Sequence, residues 1–361
     1  MRILQVITSL LIGGAEHLVV QLVEKLRVQG IETDVCLFYG ERTAFYDELE
    51  ATGCKIYCLS DKENYYDVRH IVRLRRIMRS YDIVHTHNSA PQIFVALANI
   101  GLSKILVTTE HNTDNRKRRN RLFSLVDRWM YSKYKRIICI SDQAEANLRQ
   151  YLYGVTNSTC EIETIYNGIA VGRFQGAFPL DYDKRGKFVV VMVAGFRPQK
   201  DQSTLVRAIS RLPKDEYELW LVGDGVECQK IELLAKEQNV RDIVKFWGVR
   251  SNVPEILHTA DVVCMSSHYE GLSLSNIEGM AVGKPFVASD VDGLREVTKD
   301  YGILFPHGDA EALANVICKL HDNPDYYHQI AEKCYQRALQ FDIANTVEGY
   351  KQVYVGLMKD K

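Results

Sequence analysis

The 361-residue sequence contains no Cys-x-x-Cys pair and no histidine spacing typical of a metal site. Its nine cysteines, at 36, 54, 58, 139, 160, 228, 264, 318 and 334, therefore read as reduced thiols of a cytoplasmic protein. No Gly-x-Gly-x-x-Gly opens a helix after a strand, which disfavours a dinucleotide-dependent oxidoreductase. No apolar run reaches membrane-spanning length. The run 3–12 is broken by Gly13, Gly14 and Glu16, and no small-residue cleavage site follows, so neither a signal peptide nor a transmembrane helix is expected. Solenoid-length repeats, low-complexity tracts and a serine or cysteine triad are also missing. The net charge is only -1, so the chain as a whole does not suit nucleic acid, and attraction to anions must be local. Two basic stretches supply it: RKRRNR at 116–121, with five cations, and 69–79, with five arginines.

What is present is an alternation of short apolar strands and amphipathic helices, repeated in two halves, the pattern of parallel sheets with crossover helices. Strands are expected at 2–8, 32–38, 83–87, 105–109, 136–140 and 164–165, then at 188–193, 218–222, 244–246, 262–265, 286–288 and 302–305. The polar, glycine-containing stretch 172–186 reads as a linker. Domains are thus expected at 1–171 and 187–340, and the last helix, 343–361, can dock back onto the first domain. The carboxyl ends of both sheets would then meet at a cleft, where ligands of such folds bind.

Chemistry-bearing motifs follow the strands. In 266–296, Ser275 and Glu278 have capping-box spacing at a helix start. That helix would also aim amide donors at an anion such as a diphosphate. Glu278 could accept hydrogen bonds from ribose hydroxyls, with Glu270 one loop away; on spacing alone, cap and ligand site remain equally open. Arg197 and Lys200 lie in the turn after 188–193, where two cations can neutralise a leaving diphosphate or merely be solvated. Gly13 and Gly14 join the first strand to a helix and can serve simply as a tight bend. His111 follows the strand 105–109, and a lone histidine there is more often structural than functional. His85 and His87 are assigned to core or acceptor-side packing.

The block EGLSLSNIEGMAVGKPFVASDVDGLREV, at 270–297, resembles the donor-site block of the family four retaining glycosyltransferases, and Glu270 and Glu278 match that family's Glu-x7-Glu motif. The resemblance runs over most of the chain, through LIGGAEH, TTEHNT, the Arg197–Lys200 pair (with Phe196 intervening after Gly195), LVGDG and FWGVR. IYNGIAVGRF departs from the commoner pattern in carrying Ala170 at an acidic position. The resemblance implies a GT-B fold, two Rossmann-like doubly wound parallel-sheet domains facing across a cleft. It also implies a retaining, metal-independent hexosyltransferase with no cofactor, using a nucleotide sugar, by family habit a UDP-sugar.

Residue by residue, it implies that Glu278 holds the ribose, while Glu270 and His111 contact the donor sugar. Gly14, Arg197, Lys200 and backbone over Gly271, Leu272, Ser273, Leu274 and Ser275 would meet the diphosphate and sugar, and Val249 the base. The cations of RKRRNR suggest a lipid-diphosphate acceptor or an anionic membrane surface. The helix over 69–79 reads instead as an ordinary surface element with Val68, Ile71, Leu74 and Met78 on the core. Polysaccharide or glycolipid biosynthesis, in the cytoplasm or at the inner membrane face, is the expected setting. The competing readings are a GT-B sugar-nucleotide epimerase and a noncatalytic sugar-nucleotide-binding module.

Overall fold

The computed structural model describes residues 1–11, 13–111, 121–153, 160–270 and 274–359, with backbone alone over 121–123. These residues form two compact units, Met1–Gly168 with Ile343–Lys361, and Ile169–Asp342.

Unit 1 is built on β1 (Arg2–Ile7), α1 (Gly14–Val28), β2 (Glu32–Leu37), α2 (Ala44–Ala51), β3 (Ile56–Cys58), α3 (Arg69–Met78) and β4 (Ile83–His87). It continues with α4 (Ser89–Ala98), β5 (Ile105–Glu110), α5 (Arg121–Tyr131), β6 (Arg136–Cys139), α6 (Asp142–Leu152) and β7 (Glu161–Thr164). The sheet order is β3-β2-β1-β4-β5-β6-β7 and every pairing is parallel. Helices cover both faces, which is why β1 and β4 are buried nearly end to end rather than alternating.

Unit 2 contains α7 (Val171–Gln175), β8 (Phe188–Val193), α8 (Gln202–Ile209), β9 (Tyr217–Val222), α9 (Cys228–Glu237), β10 (Val244–Gly248), α10 (Val253–Thr259) and β11 (Val262–Met265). It closes with α11 (Leu274–Ala281), β12 (Phe286–Ser289), α12 (Leu294–Thr298), β13 (Ile303–Phe305), α13 (Ala310–Asp322) and α14 (Pro324–Gln340). Its order is β10-β9-β8-β11-β12-β13, again all parallel. Two doubly wound parallel sheets are thus the fold expected from the alternating pattern. The final helix, α15 (Ile343–Lys359), packs in unit 1 against α1.

Three local expectations change. The polar stretch 172–186 is not a free linker: Lys184 pairs with Asp261 at 2.7 Å, and the Tyr182 hydroxyl donates to Glu218 at 2.7 Å while its ring stands edge-on to Trp220. The short elements α2 and β3 fall where no strand or helix was expected, since three strand residues are too few to show a period. On α3, Leu74 and Met78 are buried, but Val68 is exposed at the N-cap position, so the core stripe starts one turn later than its spacing suggests.

Candidate donor site

In unit 2 the strand order reverses between β8 and β11, and at such a switch point the following loops part and leave a crevice at the strand carboxyl ends. The β8 and β11 loops are stitched there by backbone. Lys200 bridges Ser267 in antiparallel fashion, the Asp201 amide donates to the Ser266 carbonyl at 3.0 Å, and the His268 amide donates to the Gln199 carbonyl at 2.8 Å. This brings together two residues 70 positions apart: the Lys200 ammonium forms an ion pair with the Glu270 carboxylate. Both side chains are largely withdrawn from water, at 12% and 9% exposure. Removing one partner would leave the other charge buried and uncompensated.

The sequence treats Arg197 and Lys200 as equivalent cations; the structure separates them. Lys200 is already neutralised by Glu270, whereas Arg197 is exposed and makes no ion pair among the described residues. Phe196, which displaces Arg197 by one position, is buried and stacks on Phe246, anchoring the loop. The next loop requires the glycines of LVGDG. Gly223 and Gly225 have φ of +135° and +153°, and a Cβ on Gly223 would stand 2.2 Å from the Ala194 carbonyl oxygen. Only glycine lets the β9 loop close this tightly on the β8 loop.

The capping-box expectation needs correction. Among the described residues the helix runs from Leu274, so Ser275 already lies within it rather than at an N-cap, and Glu278 lies further inside. Glu278 is partly buried, and burial raises its carboxyl above the ordinary range against the lowering influence of Arg173. Gly271, Leu272 and Ser273 lie outside the described residues, as do 116–120 of RKRRNR. Val249 follows β10 and is 80% exposed, an uncommon setting for valine that leaves an apolar face open at a strand end. Asn276 drew no notice in the sequence, yet both of its amide atoms are buried without a hydrogen-bond partner among the described residues. Its immediate neighbours, Ser275 and Ile277, give no local sign of this.

Unit 1 has its own switch point, between β1 and β4. Gly13 is extended and Gly14 opens α1, neither with positive φ, so the bend does not require them. A Cβ on Gly14 would meet nothing within 4 Å among the described residues, leaving open space beside the helix start. His85 and His87 are fully buried in β4 and belong to the core, as assigned. His111 keeps an accessible edge, and its Nε2 lies 3.0 Å from Nδ1 of His87. Burial lowers His111 to about 4 and holds His85 and His87 well below the ordinary histidine range, so all three rings are neutral near pH 7.

One group has metal-ligand composition among the described residues: Asp201, His268 and His307. Both Asp201 oxygens are taken by the Thr204 amide and hydroxyl, at 3.1 and 2.5 Å. His268 Nδ1 and His307 Nε2 are 2.7 Å apart, a hydrogen bond, and closer than the roughly 3.3 Å that two tetrahedral zinc ligands keep. As arranged, the two rings hold each other rather than an ion. A cavity of about 500 Å³ lined by Ala281, Val282, Gly283, His328, Ala331 and Tyr335 includes none of the candidate residues.

Comparison with known proteins adds two family matches. Residues 181–337 match the model of the glycosyl transferases group 1, and residues 12–173 that of glycosyltransferase family 4. A putative glycosyltransferase of Bacillus subtilis (strain 168), EpsD, is 28% identical over 77% of this chain and 77% of its own length. An Escherichia coli UDP-Gal:alpha-D-GlcNAc-diphosphoundecaprenol alpha-1,3-galactosyltransferase is 23% identical over 82% of this chain and 81% of its own. Among solved structures, Anabaena Alr3699/HepE in complex with UDP superposes with a TM-score of 0.83 at 20% identity, covering 99% of this chain and 100% of that one.

Proposed function

We propose, from the premise that the chain belongs to the GT-B glycosyltransferases through both of its halves, that it is a retaining, metal-independent hexosyltransferase. The donor is a nucleotide sugar with a UDP carrier, and the acceptor a hydroxyl of a glycan or lipid-linked glycan. The observation that carries this reading is the Lys200–Glu270 pair at the switch point of unit 2, with Arg197 exposed on the same loop.

In this reading Arg197, Lys200 and the start of α11 stabilise the departing nucleoside diphosphate, where negative charge develops as the glycosidic C–O bond breaks. The acceptor oxygen bonds to the anomeric carbon on the same face, and its proton passes to the leaving phosphate oxygen. Glu270 holds a sugar hydroxyl, and Lys200 exchanges part of its pairing with Glu270 for the diphosphate. Glu278 binds the ribose as an ionised acceptor. Binding should therefore favour loss of the proton that burial tends to keep on it. The backbone over Gly271–Ser275 and the exposed Val249 complete the donor contacts, and Gly14 and His111 are the proposed contacts from unit 1. No protein nucleophile is required; catalysis is positioning plus electrostatics.

A thermal-shift panel of UDP- and GDP-sugars reads donor binding directly, because a ligand that binds only the folded state raises the midpoint. A UDP-sugar should give the largest rise, and retained turnover in EDTA should accompany it. NMR of the product should show the anomeric configuration of the donor kept; an inverted product would reject the retaining reading, and release of an epimerised free sugar would favour an epimerase.

None of the described helices is long and apolar enough to cross a membrane. Attachment to the inner face through RKRRNR belongs to the same proposal, by attraction of its cations to anionic headgroups. Sedimentation with anionic vesicles at low salt, lost at high salt, is the expected behaviour.

A further inference from the structure

A continuous buried chain of hydrogen bonds runs from α15 to His111. The Gln5 Nε2 donates to the Tyr354 hydroxyl at 3.1 Å, and Gln5 Oε1 meets His87 Nε2 at 2.9 Å. His87 Nδ1 meets His111 Nε2 at 3.0 Å. On the other side, the Tyr354 hydroxyl lies 2.6 Å from His85 Nδ1, His85 Nε2 lies 2.8 Å from Thr109 Oγ1, and Thr109 Oγ1 lies 3.0 Å from the Tyr350 hydroxyl. Gln5, His85, His87, Thr109, Tyr350 and Tyr354 are all fully or almost fully withdrawn from water.

Such a chain is directional. A neutral imidazole has one donor nitrogen and one acceptor, so each contact fixes the next. With the Gln5 amide donating to Tyr354, its oxygen must accept, and His87 Nε2 carries the proton. His87 Nδ1 is then an acceptor, so the proton between the rings sits on His111 Nε2. The one remaining polar atom of the His111 ring, Nδ1, is left with a lone pair. Turning the Gln5 amide over would reverse every donor in the chain and place the proton on His111 Nδ1 instead. Gln5 and Tyr354 thus determine what His111 offers.

We propose that Gln5 and Tyr354 are positioning residues that lock His111 as the Nε2–H tautomer, so that its Nδ1 accepts a hydroxyl and the site selects a neutral, hydroxyl-bearing sugar. A phosphate or carboxylate oxygen has no proton to give and would face a lone pair at that position, which disfavours a uronate there. The lock also gives α15 a role: its Tyr354 closes the chain that sets His111. The selectivity part rests on the reading of His111 as a sugar contact, whereas the tautomer lock does not.

The two parts separate experimentally. Long-range ¹H–¹⁵N correlation on the full chain labelled with ¹⁵N-histidine, with His111→Ala for assignment, reads the tautomer directly in the wild-type protein. His111 should show a protonated Nε2 and an unprotonated Nδ1. Gln5→Leu, and the milder Tyr354→Phe in case the former folds poorly, should turn this single state into a mixture. With UDP-glucose as donor, both should lower kcat by about tenfold, the loss of one hydrogen bond, with KM within about twofold. A protonated Nδ1 in the wild type, or one tautomer unchanged in both variants, overturns the lock. A tautomer that shifts while turnover does not upholds the lock and removes His111 from the sugar site.

Discussion

The strand ends of unit 1 and unit 2 solve different problems with the same topology. At the unit 2 switch point the groups are charged: Lys200 with Glu270, exposed Arg197 and the burial-strained carboxyl of Glu278. At the strand ends of unit 1 they are neutral: three imidazoles, an amide and hydroxyls hydrogen-bonded in series. Full charges suit a ligand whose charge changes during reaction; a neutral, directional chain suits one recognised by its hydroxyls. A nucleotide sugar presents both kinds of surface, a diphosphate and a polyol; the proposed function gives unit 2 the diphosphate together with hydroxyl contacts through Glu270 and Glu278, and gives the neutral chain of unit 1 a sugar contact through His111.

The largest test of this contrast breaks the charged side. Lys200→Ala leaves Glu270 buried without a partner, so it should cost about 3–5 kcal/mol by denaturant unfolding and lower turnover by about 10²–10³-fold. A turnover loss no greater than that of Arg197→Ala, with unchanged stability, would show the ion pair to be incidental.

Two glycines test what open space means in each unit. Gly223→Ala should destabilise by about 1–3 kcal/mol, because the new methyl meets the Ala194 carbonyl at a positive φ. Gly14→Ala meets nothing and should leave the melting midpoint unchanged or raised, while weakening donor binding measured by calorimetry.

Mild acid should separate the units by sign. His85, His87 and His111 of unit 1 are held below their ordinary 6.5, His111 at about 4, so the unfolded chain takes up protons first. Their contribution is present above pH 6.5 and is lost as pH falls toward 4. Glu278 is raised above its ordinary 4.5, so its contribution is full below 4.5 and lost as pH rises through its folded value. Hydrogen exchange between pH 7 and 5, corrected for intrinsic rate, should therefore show β4 and β5 opening more than α11. Glu278→Gln should be more stable than wild type at pH 7, with the gain shrinking toward pH 5.

The smallest effect is expected at Val249. Its 80% exposure means Val249→Ala should change stability by less than about 0.5 kcal/mol. A few-fold weakening of UDP binding by fluorescence titration would support the base contact, and an unchanged affinity would remove Val249 from the site.

Much of this was legible in one dimension. The strands 83–87, 188–193 and 262–265 were placed to the residue, because parallel strands buried on both faces are unbroken apolar runs bounded by turn residues. The candidate donor residues were singled out for a related reason: in this fold the loops that follow strands carry the ligand chemistry. Capping was misplaced because Ser-x-x-Glu spacing occurs inside a helix as readily as at its start. Asn276 passed unnoticed since nothing local says whether a helical asparagine faces water or the interior.

The sequence alone determined the alternation of elements, the two parallel sheets and the loops that hold Arg197, Lys200, Glu270 and Glu278, all consequences of local pattern and chain direction. Only the tertiary structure decided that Lys200 belongs to Glu270 and not to Arg197, that Gly14 leaves space and Gly223 fills it, and that Tyr354 meets Gln5 across 349 positions. The physical reason is the same in each case. Burial and proton direction depend on what the chain brings back from far away, and local sequence carries no record of that distance.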